Sequence, residues 1–391
     1  MLKVGIDSIA FYTSHYALDL ANLAEVRGVD PEKYYIGLGQ HKMAVSPPDE
    51  DIVTLAANAA LRAVRHIDVS SIEMLLFATE SGIDQSKAAG IYVHDLLGLP
   101  ERCRVIELKQ ACYSGTLALQ LALPFLRQYP DKKVLLIASD IARYGLNTAG
   151  ESSQGSGAVA MVLSANPSVI AFDQEYGVVT ESVMDFWRPN YSDTAFVEGK
   201  YSSKLYLNML EKSWHQYRAQ SMRQFQDHDY YCYHTPVPRL AEKAHQHLAK
   251  INGQDKLPED QLLNQVGYSL AYGRKIGNSY TASLYIGLAA LLDLAGEDLA
   301  DKRIGFYSYG SGCVAEYFSG VVQPGYQKGL DAQRHQRMLA DRTALTYPEY
   351  EAFYSYAYPT DGTHCDIPRH QTGFFRLASI RDHKRIYERV L

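Results

Sequence analysis

The stretch Glu107–Gly115, ELKQACYSG, sets a thiol between a strand-like run and an apolar helical run. A cysteine at the amino terminus of a helix meets unpaired amides and the positive end of the macrodipole, and both favour the thiolate. Ser114 and Gly115 are small and leave room for a substrate to approach. Cys112 therefore reads as a nucleophile in preference to a buried structural cysteine. Glu80 follows the run Met74–Thr79, MLLFAT, and meets the turn Ser81-Gly82. A carboxylate at the end of a buried strand is partly desolvated, which moves its pKa toward the range of a general base. Position alone equally admits a solvated loop glutamate. His234 ends the strand-like Tyr230–Tyr233 and precedes Thr235-Pro236, a strand end of the kind where α/β proteins place catalytic groups.

Other polar residues carry weaker signals. His228, Cys232 and His234 form no zinc site on a strand, because alternate residues share a face without supplying the remaining ligands. Arg239 and Lys243 are four apart on a predicted helix and share one face, which suits either a phosphate or plain solvent. His245 and His247 continue that segment and are expected to face water. Two glycine-containing turns, Lys275–Thr281 (KIGNSYT) and Tyr307–Gly312 (YSYGSG), place Asn278 and Ser308 in or beside flexible loops. Backbone amides there could form an oxyanion hole. Neither turn is a nucleotide fingerprint.

The elements that must position these groups alternate in type. Met74–Thr79, Lys133–Ala138, Ala158–Leu163 and Arg303–Tyr309 read as strands buried on both faces, each followed by a helical stretch. Thr116–Phe125, TLALQLALPF, is apolar nearly all round and belongs between layers. A second helix is predicted over Thr281–Leu294. A second half is expected to begin after residue 165, giving units 1–165 and 166–391, with a charged, tyrosine-rich tail from Asp331 predicted as helical surface structure. The 391 residues suit two units of similar size, and 47% hydrophobic residues suffice for a sizeable core. A net charge of −6 argues against nucleic acid or an anionic membrane as partner. The first residues read as a strand, not a signal peptide, and no long uncharged apolar run predicts a membrane span. Five scattered cysteines without a CxxC pair fit a reducing cytosol.

Taken together, KYYIGLGQHKM, ELKQACYSGT, SDIARYGLN…GSGAVAMVL, MDFWRPNY…EGKYS, YHTPVPRLAEKA, GNSYTASLY and FYSYGSG resemble the 3-hydroxy-3-methylglutaryl-CoA synthase family in its shorter bacterial form. The likeness spans nearly the whole chain. It implies an α/β thiolase-like fold of two related halves in a five-layered αβαβα arrangement, usually a homodimer. It also implies condensation of acetyl-CoA with acetoacetyl-CoA to HMG-CoA in the mevalonate pathway. The resemblance gives Cys112 the role of acetylated nucleophile, Glu80 that of the base for the acetyl methyl group, and His234 that of positioning acetoacetyl-CoA. It implies substrate contacts from Asp30, Asn147, Ser153, Ser202 and Asn278, enolate hydrogen bonding near Ser308, CoA contacts from Arg239 and Lys243, and support from Asp140 and Asp185. No metal or cofactor is implied, the CoA thioesters being substrates. Ser153 stands where threonine is usual, Arg239 where lysine is common, and Ser114 where glycine or alanine is frequent. A β-ketoacyl-acyl carrier protein synthase III-like enzyme is the nearest alternative, and Glu80 argues against it. A non-catalytic thiolase-fold scaffold has no physical need for Glu80, Cys112 and His234 together.

Overall fold

Side chains along the predicted strands alternate between separate cores, as a sheet covered on both faces requires. In the run Lys133–Ile141, Val134, Leu136 and Ala138 face one core while Leu135 and Ile137 face another. The computed structural model describes residues 2–390. Its main sheet has nine strands: β1 (Val4–Tyr12), β2 (Ile72–Ala78), β3 (Arg104–Leu108), β4 (Lys133–Ile141), β5 (Ser156–Ala165), β6 (Ile170–Thr180), β7 (Tyr230–Tyr233), β8 (Arg303–Gly310) and β9 (Val314–Val322). Their spatial order is β7-β8-β9-β6-β1-β5-β4-β2-β3.

That order contains a repeat which inspection of the sequence does not reveal. β1 pairs antiparallel with β5, β5 antiparallel with β4, and β4 parallel with β2. On the other side β6 pairs antiparallel with β9, β9 antiparallel with β8, and β8 parallel with β7. The two half-sheets join where Gly5 and Ile6 of β1 pair with Ala171 and Ile170 of β6.

Helices complete the layers. α1 (Ile52–Ala63) and α2 (Ala89–Leu97) cover the outer face of the first half-sheet, in one core with Leu135 and Ile137. α3 (Ser114–Gln128) and α6 (Ser283–Leu294) fill the centre with Leu136, Ala138, Ile304 and Phe306. α4 (Gly199–Ser221) and α5 (Pro238–Ile251) cover the second half-sheet, against Tyr231, Tyr233, Tyr307 and Tyr309. The result is the five-layered αβαβα arrangement. α6 is buried from Ser283 through Leu292. α3 departs from the expectation of burial all round: Leu121 is 54% exposed, so one side of the helix reaches the surface of the chain.

The tail differs more. Beyond the helices Ala332–Ala340 and Tyr347–Tyr354 it forms a three-stranded antiparallel sheet from Cys365–Asp366, Phe375–Arg381 and Lys384–Arg389. Phe375 sits in the outer core of the first half, and Arg376 pairs with Asp49 there. No helix among the described residues is long and apolar enough to cross a membrane.

Candidate active site

β3 delivers the chain to Cys112, and α3 starts two residues later at Ser114. The intervening turn forces Ala111 to φ +42°, and Ser114 holds it there. The Ser114 hydroxyl accepts from the Gln110 amide at 2.6 Å and donates to the Ala111 carbonyl at 2.8 Å. Ser114 therefore takes a specific part in shaping the nucleophile turn. Gly310 comes so close that an added Cβ would lie 2.5 Å from the Gln110 oxygen and 2.6 Å from the Tyr113 Cβ. Tyr307–Gly310 is the end of strand β8 and not a flexible loop, and only glycine at its last position can pack on the turn that carries the thiol.

The Cys112 thiol donates to Glu80 Oε1 at 2.8 Å. Burial, then the neighbouring Asp140 charge, pushes the Glu80 carboxyl up to about 8. Cys112 contradicts the expectation of a helix-stabilised thiolate. Burial, and then the Glu80 carboxylate, raises the thiol well above its usual range. Desolvation and a facing negative charge both oppose ionisation, and here they outweigh the partial charge of a helix end. Nucleophile and carboxylate thus share a hydrogen bond with the thiol protonated.

Asp140, at the end of β4 and fully buried, organises the Glu80 turn. Its Oδ1 accepts from the Thr79 hydroxyl (2.7 Å), the Glu80 amide (2.9 Å) and the Ser81 amide and hydroxyl (3.0 and 2.5 Å). Its Oδ2 accepts from the Thr281 amide at 3.0 Å and hydroxyl at 2.5 Å. Asp140 so ties the end of β2 to the turn before α6.

His234 follows β7 and is 2% exposed. Its amide donates to the Tyr307 carbonyl at 2.8 Å and its carbonyl accepts from the Tyr206 hydroxyl at 2.7 Å. Burial pulls the imidazole down to about 3, so the ring is neutral at ordinary pH. Its Nδ1 is buried without a protein partner.

Asn278 is also buried, and its bonds run to Tyr144 (2.9 Å), the Tyr280 amide (2.9 Å) and Ser283 (2.9 Å). Its amide donates to the Ser153 carbonyl at 3.0 Å. The Ser153 hydroxyl bonds the Gly150 carbonyl at 2.7 Å. Asp185 is fully buried, accepting from Tyr309 (2.6 Å), Ser202 (3.1 Å) and the Gly312 amide (2.9 Å). Ser308 accepts from Thr116 of α3 at 2.8 Å.

The outlying residues differ in setting. Asp30 is exposed and caps its own turn through the Glu32 amide at 2.9 Å. Asn147 is exposed at φ +56°, its amide on Glu151 at 2.9 Å. Lys243 is exposed on α5, whereas Arg239 is engaged by the Ile36 carbonyl at 2.8 Å and by Glu242 at 2.5 Å. His245 is a correction: it is fully buried between Tyr233 (2.9 Å) and Gln265 (2.8 Å), because α5 packs on the tyrosine layer through this face. His247 is half-buried against Glu211 at 3.1 Å. Cys232 faces the central core while the His228 ring bonds Tyr217 at 2.9 Å in the outer one, so they do not converge.

Three site residues escaped sequence reasoning. Tyr144 bonds Asn278, and its hydroxyl is pushed up, first of all by burial. Tyr280 packs edge-on against Tyr144 at 5.8 Å. Arg188 donates to the Glu80 carbonyl. Tyr144 and Arg188 lie in quoted motifs, yet loop residues show no periodicity that would single them out.

The chain also matches known proteins along most of its length. Residues 2–168 match the family model described as hydroxymethylglutaryl-coenzyme A synthase N terminal, and residues 253–357 match its C-terminal counterpart. The hydroxymethylglutaryl-CoA synthase of Enterococcus faecalis is 42% identical, over 92% of this chain and 94% of that one. A polyketide-biosynthesis 3-hydroxy-3-methylglutaryl-ACP synthase of Bacillus subtilis is 34% identical, over 90% and 88%. A crystal structure of HMG-CoA synthase complexed with CoA superposes with a TM-score of 0.94 at 40% identity, covering 99% of this chain and all of the other. MvaS in complex with 3-hydroxy-3-methylglutaryl coenzyme A gives a TM-score of 0.90 at 38% identity, covering 100% and 99%. These matches favour neither the ketoacyl synthase nor the scaffold alternative. The chain belongs to the hydroxymethylglutaryl-CoA synthase family.

Proposed function

We propose that this chain condenses acetyl-CoA with acetoacetyl-CoA and water, giving 3-hydroxy-3-methylglutaryl-CoA and CoA for the mevalonate route. The observation that carries this reading is the 2.8 Å hydrogen bond from the Cys112 thiol to Glu80, a carboxyl group pushed up to about 8. Such a carboxylate can take the thiol proton as sulfur attacks the acetyl carbonyl, and CoA leaves as its thiol. It can later take a proton from the methyl group of acetyl-Cys112. The resulting enolate carbon attacks C3 of acetoacetyl-CoA, forming the new carbon–carbon bond. The C3 oxygen takes up the proton that Glu80 removed from the methyl group and becomes the tertiary hydroxyl. Water then cleaves the thioester to Cys112, releasing the new carboxylate and restoring the thiol.

His234 suits the acceptor side. A neutral, buried imidazole with a free ring nitrogen polarises a carbonyl without itself carrying charge. Asn278 and Tyr144 line the same centre, while Asp30, Asn147, Ser153 and Ser202 bind substrate. The Ser308 region serves the enolate. Arg239 and Lys243 reach CoA, and Asp140 and Asp185 support the site. The chemistry needs no cofactor beyond the thioesters.

A homodimer is supported by β3, whose outer edge lies at the end of the sheet and carries Ile106, 53% exposed. Exposed Ile91 and Leu121 sit on the helices packed beside it. Five free cysteines suit the cytosol. The test is incubation with both thioesters, following acetoacetyl-CoA absorbance and analysing Cys112 and the products by mass spectrometry. An acetyl group on Cys112 and HMG-CoA in the product are expected, and both are absent in Cys112→Ala. An adduct without HMG-CoA would overturn the condensation reading.

A further inference from the structure

The segment after Asp185 is pinned at several points. Asp185 is tied to Tyr309 and the Gly312 amide, Phe186 packs on Tyr144 and Tyr280 at 5.9 and 6.0 Å, and Trp187 stacks on Phe196 at 5.8 Å. Arg188 leaves this braced segment and crosses to the other half of the site, where its guanidinium donates to the Glu80 carbonyl. The Glu80 amide donates to Asp140 at 2.9 Å. Both peptide groups flanking the Glu80 Cα are therefore held, one by an anion from β4 and one by a cation from the segment after Asp185.

We propose that Arg188 is a positioning residue for Glu80, which clamps the Glu80 peptide and offsets the Asp140 charge so that the carboxylate form is available for methyl-proton removal. This rests on the reading of Glu80 as the base. The groups that face Glu80 are the Cys112 thiol, the Asp140 carboxylate, the Tyr144 and Tyr280 hydroxyls and Arg188. Burial holds the thiol and both phenols neutral. Asp140 opposes the Glu80 carboxylate and Arg188 favours it. Removing the cation leaves the anion unopposed, so ionisation of Glu80 moves to higher pH.

The experiment compares wild type, Glu80→Gln, Arg188→Gln and Arg188→Lys by the pH dependence of kcat and by Cys112 acetylation. Each protein is first checked for a cooperative thermal transition. In Arg188→Gln the acidic limb of kcat is expected to move up by about one pH unit, with Cys112 still acetylated above that limb. Arg188→Lys keeps the charge and is expected to return the limb toward the wild-type position. An unmoved limb in folded Arg188→Gln together with a uniformly lower kcat overturns the proposal. If Arg188→Gln does not fold, the lysine variant decides: a wild-type limb with reduced kcat, from an imperfect clamp, supports the role, and unchanged kcat overturns it. Condensation by Glu80→Gln would instead overturn the base reading itself, whatever the Arg188 variants do.

Discussion

Glu80 and Cys112 meet a protonation conflict that the surrounding residues resolve. Sulfur must lose a proton to attack, and the carboxylate that could take it is itself buried beside Asp140. A carboxyl group near 8 stays basic enough to accept a proton and acidic enough to be ionised in part near neutrality. Asp140 contributes a charge that opposes Glu80 ionisation and an acceptor for six donor groups. Asp140→Asn separates these contributions. Loss of the negative charge should move the acidic limb of kcat to lower pH, opposite in sign to the Arg188→Gln shift. The amide nitrogen cannot accept from Thr281, so the variant should lose about 1–3 kcal/mol of stability, read from the urea midpoint. A limb moving upward would contradict the electrostatic assignment.

At the scale of elements, the site is made by strand ends and held by helices. β2, β4 and β7 each end beside a functional group, and the amino-terminal turns of α3 and α6 approach the same centre. The tail helix Tyr347–Tyr354 adds a brace that composition did not suggest. Tyr350 accepts from Gln154 at 2.9 Å and donates to Glu151 at 3.2 Å, and Tyr354 accepts from the Gly145 amide at 3.1 Å. Arg27 binds the same Glu151 with two nitrogens at 2.8 Å. These contacts hold the loop of Asn147 and Ser153. Tyr350→Phe leaves Glu151 and Gln154 each short of a partner and should cost about 1–2 kcal/mol by thermal or urea unfolding. Steady-state kinetics should show KM for acetyl-CoA rising with kcat little changed. An unchanged KM would remove the loop from substrate binding or the brace from the loop.

For the molecule as a whole, the tail is a clasp on the first half. Asp49 is fully buried, pairing with Arg376 at 3.1 Å and His370 at 3.1 Å, while Asp51 takes Arg385 at 3.0 Å and Tyr387 at 2.6 Å. Asp51 also caps α1, accepting from Val53 and Thr54 amides at 3.0 and 3.1 Å. Removing one member of a buried pair leaves the other desolvated and poorly compensated. Arg376→Met should therefore lose about 3 kcal/mol and expose the segment after Tyr354 to proteolysis, measured by urea midpoint and limited digestion. Resistance equal to wild type would show that the apolar contacts of Phe375 suffice to seat the tail.

Much of the chemistry was legible from residue types and short patterns. The strand runs were readable because alternate residues must serve two cores, and Cys112, Glu80 and His234 stand at the ends of such runs, where the backbone turns away from the sheet. Local chain geometry sets those positions, so a local reading finds them. The sign of the Cys112 shift was not readable, since it depends on Glu80, which lies 32 residues away in the chain and 2.8 Å away in space. The same holds for Asp140 as an anchor, for Arg188 and Tyr144 at the site, for the burial of His245 and for the tail clasp. Each rests on contacts between distant segments, and desolvation and charge act through space whatever the order of the residues along the chain.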